Sequence, residues 1–93
     1  MSDLDVSEGL VPRARVVVYH ASGCHLCERA LEIVRAARET AEFDLREIDI
    51  TGDSGLEAAY REWLPVVEID GRRRFTYHVH PDSFRSAVAQ AGR

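Results

Sequence analysis

One stretch of sequence constrains the fold more than any other: the run VVVY at residues 16–19, followed at once by a short turn and a helical pattern. Strands buried on both faces have this uniform β-branched and aromatic character, so the run predicts a strand in the middle of a sheet. Over residues 24–38 the apolar positions then recur at helical spacing: Cys27, Ala30, Leu31, Val34 and Ala37. A cysteine pair, Cys24 and Cys27, therefore opens a helix that follows a central strand.

The size and charge of the chain limit the class of protein that can contain this strand-helix unit. Ninety-three residues make one domain, and a net charge of −4 disfavours broad nucleic-acid binding, which needs clustered cations. No apolar run approaches the ~20 residues of a membrane span, and no secretory signal is recognisable. We expect a cytoplasmic, monomeric α/β domain over residues 15–91 behind a flexible tail at residues 1–14, binding neither nucleic acid nor membrane.

Local patterns predict the next two elements. Residues 43–50 mix apolar with charged side chains, as edge strands do. A second helix is expected to begin at a cap provided by Asp53 or Ser54 and to end before Pro65, which also favours an extended conformation in the residue before it. The apolar face of this helix recurs at helical spacing in Leu56, Tyr60 and Trp63.

The C-terminal third contains a strong hairpin signal. Asp70-Gly71 suits the tight two-residue turn that needs positive φ at both positions, between strands at residues 66–69 and 72–79. The arginine cluster Arg72, Arg73 and Arg74 is then expected on the solvated face of an edge strand, where it would suit an acidic partner. A final helix starts at Pro81, so the element order is β-α-β-α-β-β-α.

The C-x-x-C spacing indicates redox or metal chemistry. At a helix start, unpaired backbone N–H groups and the positive end of the helix dipole favour a thiolate at Cys24. Cys27 lies one turn deeper, on the apolar stripe. The pair therefore predicts an exposed nucleophile and a sheltered resolving thiol, and a protonated His25 between them would further stabilise the thiolate.

Two other interpretations of the pair stay open. C-x-x-C is also half of a zinc site, and His78 and His80, predicted on one face of a strand, could supply nitrogen ligands to a binding module that holds metal or a partner without turnover. The two histidines are equally explained as exposed polar residues at a strand end and a helix cap. The cysteines could also be buried neighbours without chemistry, although a helix start makes burial of Cys24 unexpected.

The sequence VVYHASGCHLC at residues 17–27, with Leu64-Pro65-Val66-Val67, resembles the glutaredoxin-like proteins of the thioredoxin superfamily, in particular small bacterial members with a C-H-L-C site. The resemblance implies a thioredoxin/glutaredoxin-like fold: a four-stranded mixed sheet with helices on both faces, and a cis Pro65 beside the cysteines. It also implies a thiol–disulfide oxidoreductase without bound cofactor or metal, in which the backbone of Leu64 pairs with a peptide or glutathione.

The chain differs at two motif positions from the family members that use glutathione. Members that use it usually carry Gly-Gly and an acidic residue after the last strand, of which only Asp82 remains, and a basic residue where this chain has Ala21, next to His20. We expect Leu64, Pro65, His20 and Asp82 to bind the substrate, a disulfide-containing protein or a small thiol. The electron donor stays open between glutathione and a thioredoxin reductase.

Overall fold

The computed structural model describes residues 13–91, which form a four-stranded sheet with helices on both faces. In chain order the elements are β1 (Ala14–His20), α1 (His25–Ala37), β2 (Phe43–Asp49), α2 (Ser54–Tyr60), a 3-10 turn (Arg61–Trp63), β3 (Val66–Ile69), β4 (Arg72–Thr76) and α3 (Pro81–Ala91). The predicted element order is confirmed. The predicted tail lies outside the described residues except at its end, where β1 begins with Ala14.

The strand order is β2-β1-β3-β4, which confirms that the VVVY run is central and that β2 is an edge. β1 pairs parallel with β2 and antiparallel with β3. The β3–β4 hairpin turns at Asp70 and Gly71, with φ of 52° and 81°, as the sequence predicts. The three arginines that follow are exposed on the β4 edge. No helix within residues 13–91 is long and apolar enough to cross a bilayer.

The two faces of the sheet are covered unequally. On what we call the closed face, Val16 and Val18 of β1 and the alternate residues of β3 pack beneath α1 and α3 in one apolar core that includes Val34 and Phe84. On the open face lie Val17 and Tyr19, and only the short helix α2 covers it, stacking Tyr60 on Tyr19 with ring centroids 3.9 Å apart.

β4 is shorter than predicted: it ends at Thr76, whereas the sequence pattern predicted a strand over residues 72–79. Pro65, just before β3, has no N–H group, so the strand ladder cannot continue past it in the usual way. Tyr77 instead adopts φ of 67° and donates its backbone N–H to the carbonyl of Pro65 at 3.1 Å. The prediction that His78 and His80 share the face of a strand is therefore wrong: both lie in the loop between β4 and α3.

The second helix, α2, is also shorter than the spacing of its apolar residues predicted. Asp53 is its cap, accepting the N–H of Leu56 at 3.0 Å, so of the two predicted capping residues only Asp53 has this role and Ser54 is the first helical residue. The helix ends at Tyr60, and the tighter 3-10 turn takes Trp63 off the predicted stripe. Trp63 is consequently 41% exposed, although the helical pattern predicted it on the buried face.

The cysteine turn as a candidate active site

Cys24 and Cys27 lie at the turn between β1 and α1. Their Cα atoms are 5.2 Å apart and their sulfur atoms are at bonding distance, so the pair is in the disulfide form. Cys24 is the extended N-cap residue of α1, with φ of −99° and ψ of 103°. Gly23, just before it, has φ of +74°, and a Cβ there would meet nothing within 4 Å. Backbone conformation, rather than space, therefore favours glycine at this position.

The two cysteines differ in burial, as the sequence predicts. Cys27 is 1% exposed and belongs to a small apolar cluster with Ala21, Ile50 and Leu64. Cys24 is half-buried and packs at the rim of the same cluster. An incoming sulfur atom can therefore approach Cys24 but not Cys27.

The electrostatics at Cys24 favour negative charge on its sulfur. The backbone N–H of Cys27 donates to Cys24 Sγ at 3.1 Å, so the sulfur atom takes the place that a side-chain oxygen has in an ordinary helix cap. The same sulfur lies at the positive end of the dipole of a 13-residue helix. In the reduced protein both effects stabilise a thiolate relative to a thiol.

His25 is the first helical residue of α1 and is exposed to solvent. Its side chain is 95% exposed, and its Nδ1 lies 3.9 Å from Oε1 of Glu28, one turn along α1. The structure therefore places this imidazole in solvent beside a carboxylate. Its role in stabilising the Cys24 thiolate stays a prediction.

The segment before β3 lies next to the cysteines. The Leu64–Pro65 peptide bond is cis, as the family resemblance implies. Leu64 is buried and packs in the cluster that contains Cys27. Tyr77 contacts both ends of this segment, because its N–H donates to the Pro65 carbonyl and its hydroxyl donates to the Glu62 carbonyl at 3.1 Å.

The other two residues expected to bind substrate are not among the side chains packed in this cluster. His20 is half-buried at the end of β1, where its carbonyl accepts the N–H of Ile50 at 2.8 Å. Asp82 is in the first turn of α3, and its carboxylate is paired with Arg85. The structure thus brings Cys24, Cys27 and Leu64 together, whereas Asp82 faces a cation on its own helix.

Sequence patterns did not identify two aromatic residues beside the cis bond. Trp63 and Tyr77 are 41% and 40% exposed, with ring centroids 6.2 Å apart. Helical spacing placed Trp63 on a buried stripe, and the apparent length of β4 placed Tyr77 inside a strand. Neither the 3-10 turn nor the positive φ of Tyr77 has a signature in the local sequence.

A second aromatic group supports the cysteine cluster from the open face. Tyr19 and Tyr60 pack against it, and the Tyr60 hydroxyl donates to Oε2 of Glu68 at 3.2 Å. The neighbouring Tyr19 hydroxyl, burial and the Glu68 carboxylate together raise the pKa of Tyr60 far above its ordinary value. Arg73 lies over the Tyr60 ring, 5.5 Å from its centroid. This polar and aromatic layer packs against the cysteine cluster on the open face of the sheet.

Metal ligands do not converge in this part of the chain. Among residues 13–91, no group of three or more His, Cys, Asp or Glu side chains is arranged to hold a metal ion. His78 and His80 line a groove beside Leu26 and Arg29 of α1. The zinc arrangement that C-x-x-C left open therefore has no geometric support among the described residues.

A mixed sheet in the order β2-β1-β3-β4, a C-x-x-C pair at the β1–α1 turn and a cis proline before β3 define a thioredoxin-like fold with a dithiol site. The chain belongs to the family of the glutaredoxin-like domain (DUF836), whose model matches residues 15–89. Protein Rv0508 of Mycobacterium tuberculosis is 31% identical over 84 residues, covering 85% of this chain and 87% of that protein.

Solved structures agree with this assignment. Protein Ne2328 from Nitrosomonas europaea superposes with a TM-score of 0.69 at 28% identity, over 84% of this chain and 94% of its own. A mutant thioredoxin from Halobacterium salinarum superposes with a TM-score of 0.65 at 18% identity, over 100% of this chain and 86% of its own. The second likeness concerns the fold alone. The family and fold class inferred from the sequence are confirmed.

Proposed function

We propose that the protein is a thiol–disulfide oxidoreductase in which Cys24 is the nucleophile and Cys27 the resolving thiol. One observation carries the assignment: Cys24 Sγ accepts the N–H of Cys27 at the start of α1, while Cys27 itself is buried. The first feature favours a reactive thiolate at Cys24. The second keeps Cys27 from external partners but leaves it within reach of Cys24.

The reaction transfers two electrons from the dithiol to a substrate disulfide. The Cys24 thiolate attacks one substrate sulfur, the substrate S–S bond breaks, and the second substrate sulfur leaves as a thiolate that takes up a proton. Cys27, after losing its proton to solvent, attacks Cys24 Sγ. The Cys24–Cys27 disulfide forms, the mixed disulfide breaks, and the first substrate sulfur leaves as a thiolate that takes up a proton from solvent. An external thiol donor then restores the dithiol.

The remaining assignments belong to the same proposal. Leu64 and Pro65 position the substrate backbone beside the sulfurs, which the packing of Leu64 against Cys27 supports. His25 stabilises the thiolate in its protonated form, and His20 and Asp82 bind substrate. The protein acts in the cytoplasm as a monomer without resident cofactor, on a disulfide-containing protein or a small disulfide, with glutathione or a thioredoxin reductase as donor.

Alkylation kinetics test the nucleophile directly. In the reduced protein, the rate of Cys24 modification by iodoacetamide should titrate below the value of about 8.5 for a free cysteine, because only the thiolate reacts. Cys24→Ser should abolish reduction of a small disulfide such as hydroxyethyl disulfide. Cys27→Ser is the matched control: it should still form a mixed disulfide but fail to release it.

Two results would contradict the proposal. One is an ordinary titration of Cys24 together with full reductase activity in Cys24→Ser. The other is stoichiometric zinc or iron in the purified protein that is lost in Cys24→Ala, which would favour a binding module over a catalyst.

A further inference from the structure

A groove leads away from the cysteine turn, between α1 and the loop that joins β4 to α3. It has a volume of about 460 Å³. Leu26, Arg29 and Ile33 form the α1 wall, and the loop supplies the opposite wall: Tyr77, His78 and His80. Because Leu26 stands between the two cysteines in the sequence, the groove begins next to the cysteine turn.

The charge of this groove differs from that of the protein as a whole. The chain carries a net charge of −4, yet none of the described residues that line the groove is acidic, and Arg29, His78 and His80 are basic. Farther along α1, the neighbouring surface concavity is lined by Glu32 and Glu39 as well as by Arg85. The described lining of the groove is thus free of carboxylates, whereas the next concavity along α1 contains two.

The groove is also apolar where it meets the site. Leu26 is 38% exposed and Tyr77 is 40% exposed, and with Trp63 they are the large hydrophobic residues that the described part of the chain leaves exposed. All three lie beside the C-x-x-C turn or the cis bond. Exposed apolar side chains gathered at one place mark an interaction surface.

The length of the groove suits a peptide. From Leu26 to Ile33 it follows about two turns of α1, or ~10 Å at 1.5 Å per residue. An extended chain covers that distance with ~3 residues. The wall therefore matches the residues that flank a cysteine in a protein better than it matches a small symmetric disulfide.

Resting on the proposed function, we propose that this groove binds the segment next to the disulfide of a substrate protein, and that this segment carries an acidic side chain beside an apolar one. The guanidinium of Arg29 is suited to a carboxylate, which it can bind through two parallel hydrogen bonds. Leu26 and Tyr77 cover the apolar neighbour. The carboxylates of Glu32 and Glu39 in the neighbouring concavity disfavour a longer acidic tract, so the acidic residue is expected close to the cysteine.

Two synthetic peptides test the proposal, identical except for Glu or Lys beside a cysteine held in a mixed disulfide. The reduced full-length protein should reduce the Glu peptide roughly five- to tenfold faster than the Lys peptide at low salt, since each exposed ion pair contributes little and both signs are compared. The advantage should shrink as ionic strength rises. Hydroxyethyl disulfide, which does not fill the groove, provides the baseline rate.

Charge reversal at Arg29 tests whether this residue causes the preference for the Glu peptide. Arg29→Glu should remove the preference for the Glu peptide and leave the rate with hydroxyethyl disulfide unchanged. Arg46→Glu is the matched control, because Arg46 is an exposed arginine of β2 that pairs in register with Val17 on the open face. Circular dichroism confirms that both variants are folded.

The outcomes separate this proposal from the proposed function. Equal rates for the two peptides, with hydroxyethyl disulfide still reduced, would overturn the groove and leave the oxidoreductase assignment intact. Failure to reduce any substrate would overturn the oxidoreductase assignment. In that case calorimetric titration of the oxidised protein with the same peptides, carrying Ser for Cys, decides the groove: Arg29-dependent preference for the Glu peptide supports it, and equal or absent binding overturns it.

Discussion

The closed and open faces of the sheet are built from alternate residues of the same strand, yet they are stabilised in different ways. Val16 and Val18 are fully buried beneath α1 and α3, whereas Val17 and Tyr19 on the opposite side remain partly exposed. The helices of the closed face have 13 and 11 residues and that of the open face has 7. Most of the apolar burial that stabilises the fold therefore lies on one side.

The open face contributes mainly at one end, where it supports the site. Its aromatic pair, Tyr19 and Tyr60, packs against the cluster of Cys27, while the other end of that face is a surface concavity in which Val17 lies beside charged residues such as Asp44 and Arg46. The comparison separates two tasks within a small domain. The closed face holds the sheet together, and the open face shapes the surroundings of the cysteines.

Substitutions of two neighbouring valines of β1 test whether the closed face provides most of the stability. They have the largest expected effect on the free energy of unfolding. Val18→Ala should lower the free energy of unfolding by about 2–3 kcal/mol, because it removes two buried methyl groups and leaves a cavity. Val17→Ala is the same substitution one residue away on the open face, and should cost about 1 kcal/mol or less. Urea denaturation with unchanged m-values measures both. Equal losses would show that the faces share the stability evenly.

The helices that cover the two faces can be compared through their glycines. Gly23→Ala, at the start of α1, should cost about 1–2 kcal/mol, because φ of +74° is unfavourable for a residue with a Cβ. Gly55→Ala within α2 should instead stabilise by about 0.5–1 kcal/mol, since the φ of Gly55 is not positive and alanine favours helix. Thermal denaturation gives both signs. A stabilising Gly23→Ala would contradict the strained turn.

The smallest effect concerns the hydroxyl of Tyr60 on the open face. Tyr60→Phe keeps the stacked ring but loses the hydrogen bond to Glu68, which should cost about 1 kcal/mol at neutral pH. Because folding raises the pKa of Tyr60, the folded protein retains this proton after the unfolded chain has lost it above pH ~10. The wild type should therefore lose stability more steeply than Tyr60→Phe in alkaline solution. Parallel curves across that range would rule out the raised pKa.

The order of elements, the central strand, the position of Cys24 at the start of a helix and the Asp70-Gly71 turn could be predicted because each depends on local residue chemistry. The structure around the cis bond could not. Only the family resemblance implied a cis Pro65, and the end of β4 depends on the backbone partner that Pro65 leaves available across the sheet. The local sequence pattern predicted Trp63 in a helix and Tyr77 in a strand. In the structure both residues lie outside these elements, in irregular segments beside the site.

The cap of α1 has a consequence for local unfolding. In an ordinary helix the capping atom is chemically inert, but here it is the sulfur of Cys24. A thiolate, a thiol and an alkylated sulfur accept the Cys27 N–H with decreasing strength, so the opening free energy of the first turn of α1 varies with the chemical state of that atom. Hydrogen exchange of this one backbone amide would therefore follow the state of the sulfur without any added label.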